Sequence, residues 1–320
     1  MTKPKVFVTR EIPAKGLDLV KEFCDADVWP GEMPPLRAEL LARIRDVDGV
    51  LTLLTEKVDA EFMSAAPRLK VISNMAVGYD NVDVAEATRR KIPVGNTPGV
   101  LTDATADMAF ALLLAAARRL PEGQKYIREG LWKTWHPQLL LGADFVGATL
   151  GIVGFGRIGQ AVAKRAQGFG LRVIFYDPTS QPAFGALPVD LDTLLRESDF
   201  VSIHVPLNSE TRHLVNAEFL SKMKPNAILV NTSRGGVVDQ SALYDVLKSG
   251  KIFGAALDVT DPEPLPMNSP LLTLENCLIV PHLGSASKHT RDMMSFLAAQ
   301  NLIAGLKGER LPHCVNPEIY

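Results

Sequence analysis

The chain has 320 residues, with 34 Lys and Arg against 36 Asp and Glu, a formal net charge of −2, and 47% of it is apolar. That length and apolar content can bury more than one core and point to two domains. The near-neutral balance excludes the strongly basic surface that gathers nucleic acid or anionic lipid, so a small molecule is the expected partner, with no nucleic acid and no membrane.

The first ten residues enter a strand pattern without the apolar stretch and small-residue cleavage site of a secretory leader. Three cysteines, Cys24, Cys277 and Cys314, are odd in number and far apart, which suits a reduced, cytoplasmic protein in which they are structural, with no metal cluster. Apolar and β-branched runs at 6–9, 26–29, 50–54, 71–75 and 92–96 alternate with helical patterns and make one small doubly wound unit. Residues 103–119 are apolar nearly all round before turning polar, which predicts a buried helix and the first crossing into a second domain. Its longest wholly apolar run, 108–117, is well short of the roughly 20 residues that span a bilayer.

After an irregular stretch holding Trp132, Trp135, His136 and Pro137, strand patterns recur at 149–153, 172–176, 200–204, 227–231, 254–258 and 277–280. Six strands with helices between them make a dinucleotide-binding sheet. A last helix over 286–306 and a short polar tail are expected to return to the first unit. The expected fold is α/β, with two doubly wound parallel-sheet domains. A Rossmann domain, 101–286, is inserted into a flavodoxin-like substrate domain made of 1–100 and 287–320.

Gly154-Phe155-Gly156-Arg157-Ile158-Gly159 follows the strand at 149–153 and opens the helix pattern 160–168. In that setting each glycine plays a distinct part. Gly154 turns tightly, Gly156 lets backbone approach a pyrophosphate, and Gly159 lets helix and strand pack closely. One strand later stands Asp177, near the expected distance for an acid that accepts from the adenosine ribose hydroxyls. No Lys or Arg occurs from Pro178 through Leu195 to neutralise a 2′-phosphate. NAD(H) is therefore favoured, with NADP(H) as the alternative; an acid that merely ends a strand in a polar turn would look the same.

Arg234, Glu263 and His282 fall at or just beyond the C-terminal ends of successive strands, the edge where open α/β sheets hold their ligands. Each alone has an ordinary explanation. Together they supply what reduction of a 2-oxo acid needs: a guanidinium fork for the carboxylate and carbonyl, a histidine to give and take the proton, and a carboxylate that favours its imidazolium.

With these residues in place, the sequence resembles the D-2-hydroxy-acid dehydrogenase family along essentially its whole length. The resemblance rests on Val77-Gly78-Tyr79-Asp80-Asn81-Val82-Asp83, Asn96-Thr97-Pro98-Gly99-Val100, the glycine loop, Asn231-Thr232-Ser233-Arg234-Gly235, Ala256-Leu257-Asp258-Val259 and Pro281-His282-Leu283-Gly284. Leu131-Trp132-Lys133-Thr134-Trp135 and the stretch from Asp258 to Pro266 are similar to the glyoxylate/hydroxypyruvate reductase branch. The resemblance implies that Arg234, Glu263 and His282 are catalytic, and that backbone N–H groups of Val77 and Gly78 bind the substrate carboxylate beside Arg234 and His282. It also implies cofactor contacts from Thr102, the loop residues Gly154, Phe155, Gly156, Arg157, Ile158 and Gly159, and Asp177, Pro206, Thr211, Thr232, Asp258 and Gly284. For Pro206, Thr211 and Thr232 the residues alone say only loop. NADPH-preferring reductases of this kind tend to carry an arginine-containing segment where this chain has Asp177-Pro178-Thr179-Ser180.

The family places an arm to a second subunit after the long helix, so Trp132 and Trp135 imply a homodimer, although aromatics most often plug cores. His136, His204, His213, His289 and His313 are assigned no chemistry. The expected activity is reduction of a small 2-oxo acid, glyoxylate or hydroxypyruvate, to the 2-hydroxy acid. The alternatives are a 3-phosphoglycerate or D-lactate type dehydrogenase, and a non-catalytic NAD-sensing protein like the corepressors that share this fold. A formate dehydrogenase is disfavoured by Glu263, where that relative has an amide.

Overall fold

The computed structural model describes residues 3–320; Met1 and Thr2, the start of the N-terminal stretch, lie outside the described residues. The chain divides into two compact units, one comprising the chain up to Leu101 together with Ser287–Tyr320, the other Thr102–Ala286.

The first unit is a five-stranded sheet of β1 (Lys5–Val8), β2 (Asp25–Val28), β3 (Gly49–Thr52), β4 (Val71–Asn74) and β5 (Val94–Gly95), in the order β2-β1-β3-β4-β5 with every pair parallel. Its inner strands are buried on both faces, which is why they read as unbroken apolar runs. One face packs Phe7, Val50, Ile72 and Val94 against Leu40, Phe62 and Ala87 from three short helices. The opposite face is covered by the C-terminal helix Lys288–Leu306, itself packed on Ala14–Phe23. The final helix thus belongs to the first sheet.

The second unit holds β6 (Thr149–Val153), β7 (Arg172–Tyr176), β8 (Leu187–Pro188), β9 (Phe200–Ile203), β10 (Ile228–Asn231), β11 (Gly254–Leu257) and β12 (Cys277–Ile279). All run parallel in the order β12-β11-β10-β9-β6-β7-β8. Read from the β8 edge, with β6 counted first, this is the Rossmann order, with its reversal between β6 and β9. The sheet has one strand more than the sequence pattern predicts. β8 is two exposed residues on the sheet edge, too short and too polar in setting to leave a periodic trace.

Successive side chains alternate between two cores, as a pleated strand requires. Ile228 and Val230 join Phe155, Phe175 and Phe200 on one face, while Leu229 joins Val201, Ile203 and Leu243 on the other. The helix expected over 103–119 runs Thr102–Ala117 and packs its buried Ala106, Phe110 and Leu113 on the first of these faces. It stops because Arg119 takes a left-handed backbone, φ +53, from which a second helix, Leu120–Arg128, starts in a new direction. No helix among the described residues is long and apolar enough to cross a membrane.

Candidate active site

At the end of β6 the chain turns at Gly154, φ +91, and a Cβ there would stand 2.8 Å from the carbonyl of His204. Only glycine tolerates both conditions. A Cβ on Gly159 would come within 2.3 Å of the Gly154 carbonyl, whereas one on Gly156 would meet nothing within 4 Å. Gly159 therefore lets helix and strand close on each other, Gly154 admits the chain that follows β9, and the middle glycine leaves open space. The helix is Arg157–Gln167, beginning three residues before the 160–168 pattern, with Gly156 as its N-cap. Arg157 and Ile158 occupy its first turn, where N–H groups have no acceptor within the helix and the dipole is positive. Such an end holds phosphate.

Asp177, just past β7, bonds back to that loop. Its Oδ2 accepts from Phe155 N (2.8 Å), and its Oδ1 from Thr179 N (2.9 Å), Thr179 Oγ1 (2.9 Å) and Ser180 N (3.1 Å). Burial pushes this carboxyl up, but the donors, led by the N–H groups of Thr179 and Phe155, outweigh it and hold Asp177 below the usual carboxylate range. Oδ2 carries the smaller load and retains lone-pair capacity for another donor. Across the sheet, Thr232 Oγ1 is buried without a hydrogen-bond partner among the described residues. The glycine shape, the helix end, the ionised acid and the orphaned hydroxyl fit a dinucleotide.

The other three chemical groups leave β10, β11 and β12 in turn. Arg234 follows β10, its own carbonyl accepting from Asn231 Nδ2 (3.0 Å) and its Nη1 donating to the Ser233 carbonyl (2.9 Å). A Cβ on the next residue, Gly235, would lie 1.9 Å from the carbonyl oxygen of Thr260. The loops after β10 and β11 consequently touch backbone to backbone. On the second of them, Thr260 N donates to Glu263 Oε1 (3.0 Å) and Thr260 Oγ1 to the Pro262 carbonyl (2.9 Å). Glu263 Oε2 then lies 2.9 Å from His282 Nδ1. Burial raises the Glu263 carboxyl, but the hydrogen bond and charge of His282, the Thr260 N–H and the charge of Arg234 prevail, so it sits below its ordinary value. Because an ionised carboxylate only accepts, Nδ1 is the protonated nitrogen facing it, and Nε2 is the ring nitrogen on the other side from Glu263.

His282 has a left-handed backbone, φ +53, unusual for a residue with a side chain. The turn that imposes it is built by Asp258. The Asp258 carbonyl accepts from His282 N (2.9 Å), Oδ1 from Leu283 N (2.5 Å) and Oδ2 from Gly284 N (2.8 Å). Asp258 is almost wholly buried, and desolvation raises its pKa in spite of those two side-chain bonds.

Of the remaining expected residues, Pro206 and Thr211 meet in the loop after β9, where Thr211 Oγ1 donates to the Pro206 carbonyl (2.6 Å). Thr102 opens its helix. Val77 and Gly78 lie in the first unit, on the loop after β4. Two residues escape a reading of the sequence alone. Thr260 orients Glu263, and the Thr-x-x-Glu spacing, the same as in a helix capping box, was a usable signal. Gln240 bonds both backbone groups of Asp261 across 21 residues, and no local pattern announces it. A cavity of about 130 Å³ lined by Arg119, Glu122, Gly254 and Asn276 lies at the N-terminal edge of β11 and β12, away from these loops. Among the described residues no cluster of His, Cys, Asp and Glu could hold a metal ion.

This arrangement of a Rossmann sheet, a glycine loop and a histidine–carboxylate pair defines a nicotinamide-dinucleotide-dependent oxidoreductase. Residues 110–284 match the family model of the D-isomer specific 2-hydroxyacid dehydrogenase NAD binding domain. Over 322 residues the chain is 55% identical to a glyoxylate reductase of Korarchaeum cryptofilum, covering 99% of this chain and 97% of that one. A glyoxylate reductase of Thermococcus litoralis is 53% identical over 99% of this chain and 98% of its own. Among solved structures, a protein of Thermus thermophilus superposes with a TM-score of 0.93 at 51% identity, covering 97% of this chain and 99% of that one. An NADPH-dependent glyoxylate/hydroxypyruvate reductase of Sinorhizobium meliloti, in complex with NADP and malonate, gives 0.89 at 34% identity over 100% and 98%. The chain belongs to the D-isomer specific 2-hydroxyacid dehydrogenase family. It is an NAD(P)-dependent enzyme that interconverts 2-oxo and 2-hydroxy acids.

Proposed function

We propose that the chain is a glyoxylate/hydroxypyruvate reductase in which Arg234, Glu263 and His282 are the catalytic residues. The observation that carries this reading is the 2.9 Å contact between Glu263 Oε2 and His282 Nδ1 at the C-terminal edge of the sheet. Thr102, Gly154 to Gly159, Asp177, Pro206, Thr211, Thr232, Asp258 and Gly284 would hold the dinucleotide, which when bound supplies the hydride. Arg234, together with the N–H groups of Val77 and Gly78, binds the substrate carboxylate. The Arg234 guanidinium also polarises the carbonyl. His282 Nε2 holds the proton that the carbonyl oxygen receives, and takes it back in the oxidation direction. Glu263 keeps Nδ1 protonated and the ring turned.

Asp177, with no basic residue following it before Arg196, favours NADH over NADPH. A homodimer is supported by the exposure of Trp132 (59%) and Trp135 (78%) in the irregular stretch after the helices. A monomer by light scattering at micromolar concentration would remove that assembly. The activity is tested by following nicotinamide absorbance with NADH or NADPH plus glyoxylate or hydroxypyruvate. NADH bound but not consumed by any 2-oxo acid would make the protein a sensor.

A further inference from the structure

The loop 76–79 is held by its carbonyl groups. Thr97 N donates to the Ala76 carbonyl (2.8 Å), Asn96 Nδ2 to the Val77 carbonyl (2.9 Å) and Asn74 Nδ2 to the Gly78 carbonyl (3.2 Å). In a trans peptide the carbonyl and the N–H of the following residue point in opposite directions. Anchoring those three carbonyls therefore turns the N–H groups of Val77, Gly78 and Tyr79 away from their anchors. Among the described residues none of the three N–H groups donates to an acceptor. Successive N–H groups left open to a ligand are the donors from which an anion-binding loop is built.

The anchors are themselves fixed. Asn74 is fully buried, its Oδ1 accepting from Thr52 Oγ1 (3.1 Å) and its Nδ2 also reaching Asn81 Oδ1 (3.3 Å). Asn81 Nδ2 in turn donates to the carbonyls of Leu53 and Glu56, both at 2.9 Å. The buried Glu56 closes the frame, its Oε2 accepting from Leu53 N and Thr9 Oγ1, both at 2.7 Å. Asn96 is tied at its backbone, its N–H donating to the His313 carbonyl (3.2 Å) and its carbonyl accepting from Asn301 Nδ2 (2.8 Å).

We infer that Asn96 and Asn74 are positioning residues for substrate: by clamping the Val77 and Gly78 carbonyls they aim the N–H groups of Gly78 and Tyr79 at the carboxylate, so that Tyr79 joins Val77 and Gly78 as a third backbone donor. The inference rests on the carboxylate site proposed above. The carboxylate is unchanged in the reaction, so its binding contributes equally to ground and transition states and is read in KM rather than kcat.

The test compares wild type with Asn96→Leu, which keeps the branched outline and removes the donor, and with Asn96→Gln, which keeps an amide. Thermal melting establishes that each variant folds. The expected result for Asn96→Leu is a KM for glyoxylate raised about tenfold, the range of one lost orienting hydrogen bond. Its kcat should stay within about threefold and its NADH affinity, by nicotinamide fluorescence, should be unchanged, since the clamp acts only on the loop proposed to meet the carboxylate. Asn96→Gln should recover part of the KM. If Asn96→Leu does not fold, the Asn96→Gln comparison decides, with a KM raised and kcat kept supporting the clamp. A wild-type KM in folded Asn96→Leu, or in Asn96→Gln where Asn96→Leu does not fold, or a loss confined to kcat, overturns the inference. A wild-type protein that reduces no 2-oxo acid defeats the proposed function instead, and the two failures are told apart by the wild-type assay alone.

Discussion

Replacing Glu263 by Gln separates the charge of the carboxylate from its shape. The His282 ring is 27% exposed and the Glu263 side chain 32% exposed, so the pair is neither solvent-screened throughout nor fully desolvated. A hydrogen bond to a charged group contributes about 1.5 to 3 kcal/mol, and the residual exposure places this one at the lower end, about 1.5 kcal/mol, or roughly tenfold in rate. Because the Glu263 carboxyl, which burial raises, is held below its ordinary value chiefly by the hydrogen bond from His282, it is ionised at neutral pH and the wild type keeps its acceptor on Nδ1 there. The orientation of the ring serves both directions of the proposed reaction, so reduction and oxidation should lose rate together. A glutamine also has one oxygen where Glu263 serves two donors, Thr260 N and His282 Nδ1, and one of them must lose its acceptor. The expected outcome is a kcat for glyoxylate reduction lowered about tenfold, with NADH affinity kept. Initial rates in both directions at saturating cofactor, with a fluorescence titration for NADH, provide the measurement. A wild-type kcat, or a loss confined to one direction, would refute the assignment of Glu263 as the partner of the proposed proton donor.

His282→Asn should bind NADH as wild type does and lose turnover by roughly 100-fold or more, the usual contribution of a general acid, checked by fluorescence titration alongside steady-state rates. Asp177→Ala should weaken NADH more than NADPH; because Asp177 also accepts from Phe155 N, some loss should appear for both cofactors, and equal losses would leave the carboxylate with only its loop-holding role. Burial lowers the pKa of His204 from 6.5 to about 4. The unfolded chain therefore takes up a proton that the folded one refuses as pH falls from about 6.5 to 4, and stability should decline across that window by at most about 3 kcal/mol. Tm against pH should be flatter for His204→Gln, and identical slopes would show that the ring does not stay neutral.

The strands were legible because parallel, doubly covered strands are apolar along their length, so runs such as 149–153 and 228–231 announce themselves. β8 was not, since two exposed edge residues carry no period. The break at Arg119 was hidden for another reason: a left-handed residue in a helical composition changes direction without changing pattern. At the site, Arg234, Glu263 and His282 could be proposed because strand ends and chemical type both show in sequence. What joins them could not. Gly235 looks like any loop glycine until the Thr260 carbonyl, 25 residues on, is found where its side chain would be. Asp177 likewise showed its spacing to the glycines but not the bond to Phe155 N that ties it to them.

The left-handed backbone of His282 narrows what this position can become. Asn, Asp and Gly enter that conformation readily, whereas Val, Ile and Thr crowd it, so a saturation library at codon 282 should return folded protein from a short alphabet. Attempts to install a different proton donor, such as a tyrosine or a lysine, would have to rebuild the turn that Asp258 ties before the new side chain could be judged on its chemistry. In that sense the scaffold restricts its own redesign through backbone geometry rather than through the reaction.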